Sequence, residues 1–274
     1  MTKHMNINGV SIAYLEQGQG SPTLLLHGNS GDCRVWEPQR QAVAECYRFI
    51  ALNQRYFGTD PWPDKGEKFS PTTHTDDLAT FIRNLKAGPV NLVGWSYGGA
   101  VALELAVQHS ELVSSLFLFE PTLGTMVSDP ADAAVMGEDR RNMFAPAVTA
   151  AKAGDYEGAV KFLIDGVNAL PGTFDSLAPE VRSIAIDNAR VLPLVFAAPP
   201  PPPVSCAELE QVKVRVAVAR GELTRPFFRI IAQAVSRCIP GSSLITVPQA
   251  RHLWPVQNPS AFNEVLLGFL KSGS

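Results

Sequence analysis

The sequence predicts an α/β protein with a mostly parallel central sheet, flanked by helices and interrupted by a helical insertion. Two observations indicate this class: short apolar runs rich in β-branched residues alternate with helical patterns, and the alternation stops between Pro121 and Val214. Near-continuous apolarity is what a parallel strand needs when helices cover both of its faces. Apolar residues make up 46% of the 274-residue chain, which suffices for the buried core of such a sheet.

Five apolar runs predict the parallel strands. They are Thr23–Leu26, Arg48–Leu52, Val90–Val93, Ser115–Phe119 and Val214–Ala219. Leu244–Val247 predicts one more strand, and Ile7–Leu15, with Asn8 and Gly9 at its centre, predicts an antiparallel hairpin. We therefore expect a sheet that is parallel except at one edge.

Two stretches have the spacing of amphipathic helices. Apolar residues repeat at i, i+3, i+4 and i+7 between Leu78 and Leu85, and the same spacing recurs between Phe262 and Leu270. One face of each helix is expected to pack on the sheet.

Residues 122–203 are Ala-rich and helical in pattern, and glycines and prolines divide them into short elements. The segment ends in five consecutive prolines, Pro199–Pro203, which cannot donate backbone hydrogen bonds and favour an extended strut. We predict a core domain of residues 1–121 and 204–274 with an inserted helical cap, residues 122–203. The prolines then form a stiff linker back to the sheet, with a docking site for a partner domain as the alternative.

The distribution of charge excludes some classes of partner. The formal net charge of -3 comes from 26 acidic and 23 basic side chains, without a run that could bind phosphates or anionic lipid. Neither a nucleic acid nor a membrane is expected as a partner, and the N-terminal residues contain no apolar leader or membrane span. We expect a cytoplasmic protein, and its oligomeric state stays open.

The cysteines indicate neither a disulfide framework nor a metal site. Cys33, Cys46, Cys206 and Cys238 are widely separated and form no CxxC pair or Cys/His cluster, so we expect four reduced thiols. The sequence also contains no phosphate-binding glycine loop and no cluster of metal ligands. The chemistry is expected to run on side chains alone, with no metal and no organic cofactor.

The clearest chemical motif is the GxSxG sequence Gly94-Trp95-Ser96-Tyr97-Gly98, between a predicted strand and a predicted helix. A sharp turn at this place lifts the Ser96 hydroxyl above the sheet, and the glycines let the backbone approach its neighbours. The N–H of Tyr97 then points at a developing oxyanion, aided by the helix N-terminus. The alternative is a Gly-rich helix start with Ser96 as an ordinary N-cap.

A serine nucleophile needs a base within hydrogen-bond reach, and the chain offers five histidines. Four of them lie in the terminal segment, at helix ends or in a turn: His4, His27, His74 and His109. His252 alone lies in a loop between the last predicted strand and the last predicted helix, which places the serine before the histidine in the chain. We therefore identify Ser96 as the nucleophile and His252 as the base, with a polar loop residue as the alternative for His252.

His27-Gly28 directly follows a predicted strand, where such a pair shapes a turn whose backbone N–H groups face the site. The N–H of Asn29 is our candidate for the second oxyanion donor, with Gly28 in the substrate site and a structural role for His27. Three tryptophans next to motif positions are candidates for an aromatic substrate pocket, with core packing as the alternative: Trp36, Trp95 and Trp254.

These motifs resemble the α/β-hydrolase superfamily over nearly all of the sequence outside the cap. The matching pieces are Leu26-His27-Gly28, the segment Ala51–Asp60, the elbow around Ser96, and His252 followed by Asn258-Pro259. The resemblance implies the α/β-hydrolase fold and a triad of serine, histidine and an acid. It departs at the acid, because the commonest members have an Asp three residues after a Gly at the end of the penultimate strand. In this chain the residue three positions after Gly221 is Thr224.

Two carboxylates are candidates for the acid that orients His252. Glu120 ends the strand beside the nucleophile strand, at the sheet edge where α/β folds bind ligands, and Glu222 follows the penultimate strand. Haloalkane dehalogenases and zearalenone-type lactone hydrolases resemble this chain in placing a Glu after the same strand as Glu120. The lactone hydrolases are also similar in their Ser nucleophile and in a Thr before paired Phe residues, here Thr224 to Phe228. We favour Glu120 and keep Glu222 open.

The motifs and the resemblance together predict a carboxylic ester or lactone hydrolase that acts through Ser96, His252 and Glu120 with an acyl-enzyme intermediate. The expected substrate is a small neutral molecule bound under the cap. One alternative is hydrolysis of a carbon-carbon bond in a keto acid, which relatives with the same fold and triad perform. Another is a ligand sensor that retains a slow triad.

Overall fold

The computed structural model describes residues 2–272, which form an eight-stranded sheet with helices on both faces. The strands are β1 (Lys3–Ile7), β2 (Val10–Gln17), β3 (Pro22–Leu26), β4 (Arg48–Leu52), β5 (Val90–Trp95), β6 (Val113–Phe119), β7 (Arg215–Gly221) and β8 (Ser243–Val247). Their order across the sheet is β1-β2-β4-β3-β5-β6-β7-β8. β2 pairs antiparallel with β1 and β4, and the other neighbours pair parallel. The predicted mostly parallel sheet with an antiparallel edge is confirmed.

The helices divide between the core and the segment that interrupts it. They are α1 (Glu37–Ala44), α2 (Pro71–Leu85), α3 (Tyr97–Gln108), α4 (Pro130–Lys152), α5 (Tyr156–Asn168), α6 (Thr173–Ser176), α7 (Pro179–Asp187), α8 (Leu192–Ala197), α9 (Cys206–Leu209), α10 (Pro226–Cys238), α11 (Trp254–Gln257) and α12 (Pro259–Lys271). α2, α3 and α10 pack on one face of the sheet, and α1 and α12 pack on the other. Within residues 2–272, no helix is both long enough and apolar enough to cross a bilayer.

Successive side chains of the central strands enter two separate apolar layers. In β3, Leu24 and Leu26 join the layer that contains α2 and α3, whereas Leu25 joins the layer that contains α1 and α12. All three leucines are fully buried. Burial on both faces explains why the strand segments are continuous apolar runs in the sequence instead of alternating ones.

Side-chain caps mark where α2 and α12 of the core begin. At the start of α2, Ser70 Oγ accepts a hydrogen bond from the N–H of Thr73 at 3.0 Å. At the start of α12, Asn258 Oδ1 accepts one from the N–H of Ala261 at 3.2 Å. Both caps precede a proline in the first helical turn, where the missing N–H costs nothing.

The segment predicted as the cap, residues 122–203, contains α4 to α8 and lies between β6 and β7 in the chain. Polar side chains connect it to the core: Arg225 pairs with Asp139 of α4, for example, and Asn188, just after α7, donates to Asp32. Pro199–Pro203 adopt neither helix nor strand. The division of the chain into two domains stays a prediction.

The expectation of four reduced thiols is wrong for two of the cysteines. Cys206 and Cys238 form a disulfide, with their Cα atoms 4.9 Å apart. Cys206 begins α9 and Cys238 ends α10, and these two helices pack against each other. The pair is separated by 32 residues, a distance without a recognisable spacing pattern, so the sequence did not indicate it. Cys33 and Cys46 are free.

Candidate active site

Ser96 occupies a sharp turn between β5 and α3. Its backbone has φ 56° and ψ -117°, a conformation that costs energy for a residue with a side chain. Two glycines allow the turn to pack closely. A Cβ on Gly98 would lie 2.6 Å from the carbonyl oxygen of His27, and one on Gly94 would lie 2.6 Å from Cα of Gly99. The elbow therefore requires glycine at both positions of the sequence motif.

The structure brings Ser96, His252 and Glu120 together in one hydrogen-bonded line. His252 Nε2 lies 3.1 Å from Ser96 Oγ, and His252 Nδ1 lies 2.6 Å from Glu120 Oε2. All three side chains are buried. With Glu120 ionised, Nδ1–H would donate to the carboxylate, and Nε2 would then face the Ser96 hydroxyl as an acceptor.

Glu120 is held rigidly beside His252 by the backbone of β7. Its own N–H donates to the carbonyl of Ala219 at 3.0 Å, and its Oε1 accepts the N–H of Gly221 at 2.8 Å. The residue has φ 46°, so the chain turns sharply where β6 ends. The N–H of Gly221 thus occupies Oε1, while Oε2 faces the imidazole of His252.

The other candidate carboxylate, Glu222, has different partners. Its Oε2 accepts hydrogen bonds from the backbone N–H of Gln249 at 2.9 Å and from the Gln249 side chain at 3.2 Å. The residue is exposed and holds the start of the loop that carries His252. Of the two carboxylates that the sequence left open, Glu120 is the one in hydrogen-bond contact with the imidazole.

Two aromatic side chains hold the loop of His252 in place. Trp95 Nε1 donates to the carbonyl of His252 at 3.0 Å. The ring of Phe228 stacks on the imidazole, with centroids 3.9 Å apart and planes inclined by 16°. Sequence reasoning did not assign a role to Phe228, and the only signal was its place in the Thr-to-Phe pattern of the resemblance.

The residues predicted to carry the oxyanion donors, Asn29 and Tyr97, differ in their place relative to the cavity. Gly28 passes so close that a Cβ on it would lie 3.1 Å from Ser96 Cβ, and Asn29 lines the same cavity as Ser96. Tyr97 is the first residue of α3, where N–H groups are free of intrahelical partners. Its side chain turns away from the cavity and its hydroxyl contacts His74 Nδ1 at 2.7 Å.

The elbow opens into an apolar cavity with about 660 Å³ of empty space, including its open side. The core contributes its few polar groups, and the cap segment contributes aliphatic and aromatic walls: Phe144, Leu163, Ile164, Val167, Leu177, Val181 and Ala185. No Lys, Arg, Asp or Glu lines it among the described residues. Nor do residues 2–272 contain a group of three His, Cys, Asp or Glu side chains that could hold a metal ion.

The three candidate tryptophans have different places. Trp95 lines the cavity, but Trp36 and Trp254 do not. Both are buried against Phe262, with ring centroids 5.7 Å and 5.2 Å away. Trp36 and Trp254 thus occupy the core-packing positions that the sequence offered as the alternative, and a contact of either ring with substrate stays a prediction.

Two further histidines are buried beneath the site in neutral form. Burial lowers the pKa of His27 to about 4 and the pKa of His74 to about 3. His27 Nε2 accepts the N–H of Gln54 at 3.1 Å, and its Nδ1 contacts the carbonyl of Gly28 at 2.8 Å. His27 thus has the structural position in the turn that the sequence predicts for it.

These histidines predict how stability depends on pH. As the pH falls from 6.5 toward 4, the unfolded chain binds protons that the folded chain does not, so the free energy of unfolding falls. The expected slope is about 1.4 kcal/mol per pH unit for each histidine. Urea unfolding near neutral pH and at about pH 5 measures this loss. His74→Gln is expected to lose less, and His4→Gln, at an exposed position, is the control. An unchanged pH dependence in His74→Gln contradicts the prediction.

Comparison with known proteins identifies relatives along the whole chain. The model of the Alpha/beta hydrolase family matches residues 23–265. The chain is 24% identical over 277 residues to 2-(acetamidomethylene)succinate hydrolase of Mesorhizobium japonicum, covering 98% of this chain and 95% of the relative. It is 35% identical over 120 residues to 2-hydroxy-6-oxo-6-(2'-aminophenyl)hexa-2,4-dienoic acid hydrolase of Metapseudomonas resinovorans, covering 42% and 41% of the two chains.

A solved structure shows the same fold. An esterase from Rhodococcus sp. ECU1013 superposes with a TM-score of 0.79 at 22% sequence identity, covering 100% of this chain and 99% of that chain. Together with the match to the family model, this similarity extends through both the sheet and residues 122–203.

Proposed function

The chain belongs to the alpha/beta hydrolase family, and from that premise we propose that it hydrolyses neutral carboxylic esters or lactones through Ser96, His252 and Glu120. One observation carries the proposal. The hydroxyl of Ser96, the imidazole of His252 and the carboxylate of Glu120 form an unbroken hydrogen-bonded line at an apolar cavity. This is the arrangement that turns a weakly nucleophilic hydroxyl into an attacking group.

In the proposed reaction, Ser96 Oγ attacks the substrate carbonyl while His252 Nε2 takes the hydroxyl proton. Glu120 holds Nδ1–H and stabilises the imidazolium that forms. The N–H groups of Asn29 and Tyr97 hold the oxyanion of the tetrahedral intermediate. The intermediate expels the alcohol, which receives the proton from His252, and leaves an acyl group on Ser96. Water then repeats the sequence in the second half: His252 accepts its proton, the acid is released and Ser96 regains its hydroxyl.

The charge of the cavity favours a neutral substrate over a keto acid. A carboxylate bound among aliphatic side chains loses its hydration and needs a cation to compensate. The described lining contains no Lys or Arg that could supply this cation. It consists of hydrogen-bonding groups near Ser96 and apolar side chains farther from it. Carbon-carbon hydrolysis of a keto acid, the reaction class suggested by the dienoic acid hydrolase among the relatives, is therefore the second candidate.

A panel of p-nitrophenyl esters, lactones and a dienoic keto acid tests the proposal. We expect turnover of the esters or lactones and little turnover of the keto acid. A fluorophosphonate is expected to label the wild-type protein at Ser96 and to leave Ser96→Ala unlabelled, because labelling needs the activated hydroxyl. Mass spectrometry of the labelled peptide locates the site. Labelling of another residue, or faster turnover of the keto acid, overturns the proposal, and rapid labelling with product release far slower than acylation supports the ligand-sensor alternative.

A further inference from the structure

Helix α5 of the cap segment ends beside the loop that carries His252. Its last residue, Asn168, is 1% exposed, and its Oδ1 accepts the N–H of Leu253 at 3.1 Å. On the other side of His252, the Arg251 guanidinium contacts the carbonyl oxygens of Asn168 at 3.3 Å and Ala169 at 3.4 Å. The residues on both sides of the base are therefore attached to the end of one cap helix.

A second connection reaches the imidazole ring from the same segment. Arg225, in the loop between β7 and α10, pairs with Asp139 of α4 through two nitrogens, at 3.1 Å and 2.5 Å, and donates to the carbonyl of Gly166 in α5 at 3.1 Å. Asp139 also accepts the N–H of Phe227 at 3.0 Å. The next residue is Phe228, whose ring stacks on the imidazole of His252. Both the backbone and the ring of the base are thus held by groups that contact the cap segment.

The same helix forms part of the wall against which an acyl group would pack. Leu163, Ile164 and Val167 of α5 line the cavity within about one and a half turns before Asn168. A helix is stiff over such a distance because every turn is hydrogen-bonded to the next. A group that fills the cavity therefore contacts the helix whose end holds the His252 loop.

We propose that Asn168 is a positioning residue that couples the filling of the apolar cavity to the placement of His252. The inference rests on the proposed ester or lactone hydrolysis and specifies its substrate preference: compounds with a bulky apolar acyl group gain in kcat, and not only in KM. Binding energy from a remote part of the substrate raises kcat when it is used to orient the reacting groups. Asn168 itself does not line the cavity.

The test compares p-nitrophenyl esters of short and medium acyl chains. In the wild-type protein, kcat is expected to rise with chain length. In Asn168→Ala, kcat for the longer esters is expected to fall by about 10- to 100-fold, which removes the rise, with KM changed much less. Asn168→Asp keeps an oxygen that accepts the Leu253 N–H, so it is expected to regain much of the lost kcat.

Thr173→Val is the matched control. It removes the group that Asn168 Nδ2 contacts at 3.1 Å, also buried in the cap segment, but leaves the bond to Leu253 in place. We expect its thermal stability to fall and its kcat profile to follow the wild type. A merely structural role predicts the opposite pattern: Asn168→Ala and Thr173→Val then lose the same stability and both keep the dependence of kcat on chain length, which overturns the inference.

Two additions keep the test decisive. If Asn168→Ala does not fold, Arg225→Met removes the contacts with Asp139 and Gly166, and Arg225 does not line the cavity. We expect this variant to lose the rise of kcat with acyl-chain length. An unchanged rise overturns the inference. The rate of labelling by short- and long-chain fluorophosphonates gives a readout that needs no ester turnover, and equal rates in wild type and Asn168→Ala also overturn it. Failure of the proposed function differs from both, because the wild type is then unlabelled at Ser96 or turns over the keto acid faster than the esters.

Discussion

Ser96→Ala, His252→Ala and the double variant are expected to lose nearly the same activity, about 10⁶-fold in kcat on the best ester of the panel. The physical reason is that Ser96 Oγ and His252 Nε2, 3.1 Å apart, act together in one step. Without the imidazole the hydroxyl is not activated, and without the hydroxyl the imidazole has no nucleophile to activate. Some catalysis is expected to persist, because the N–H groups proposed to hold the oxyanion are backbone groups that both substitutions leave in place.

Steady-state kinetics on the three variants, with circular dichroism to establish folding, measures this expectation. Contaminating wild-type protein in each preparation is quantified by fluorophosphonate labelling. This control is needed because about one wild-type molecule per million would give the same rate as the expected residual activity. A double variant far slower than either single variant would show that the two side chains act independently, and the proposed mechanism would then fail.

Glu120→Gln is expected to lower kcat by about 10⁴-fold while the fold is retained. The amide oxygen can still accept the N–H of Gly221, but the amide nitrogen then faces His252 Nδ1 as a donor. This contact favours the imidazole tautomer with its proton on Nε2, which cannot accept the proton of Ser96. The loss is therefore expected in kcat, with thermal unfolding close to that of the wild type.

Glu222→Gln is the matched control for the acid. Its amide oxygen can continue to accept the N–H of Gln249, so the loop that leads to His252 keeps its support. We expect kcat within a few-fold of the wild type. A larger loss in Glu222→Gln than in Glu120→Gln would transfer the role of the acid to Glu222.

The strands of the sheet could be predicted because each is encoded by a short segment of the sequence. β3 and β6 are buried on both faces, and that burial leaves continuous apolar runs in the sequence. The turn at Ser96 could be located for a similar reason, since close packing of the backbone excludes side chains at Gly94 and Gly98. Both signals are contained within a few neighbouring residues.

The choice of the acid depends on contacts that no short segment encodes. Glu120 and His252 are 132 residues apart in the chain, and Glu222 also stands at the carboxyl end of a parallel strand. The disulfide between Cys206 and Cys238 could not be predicted for the same reason, because the two cysteines are brought together by the packing of α9 on α10. Trp36, Trp95 and Trp254 all belong to one apolar layer, but only Trp95 lines the cavity, and adjacency to a motif in the sequence does not encode that difference.

The position of the Glu120 carboxylate, directly after β6, has a consequence for the loop after β7. Gly221, the last residue of β7, contributes a backbone N–H to Glu120, and a backbone group is the same whatever side chain the residue carries, apart from the steric demand for glycine at this position. In the proposed mechanism no side chain of the loop after β7 takes part in proton transfer, and Arg225 of that loop instead contacts Asp139 of α4 and the carbonyl of Gly166 in α5. Under the proposed mechanism the acid and the contacts to the cap segment follow neighbouring strands, so we expect substitutions of Arg225 to change substrate selectivity without changing the charge beside the imidazole.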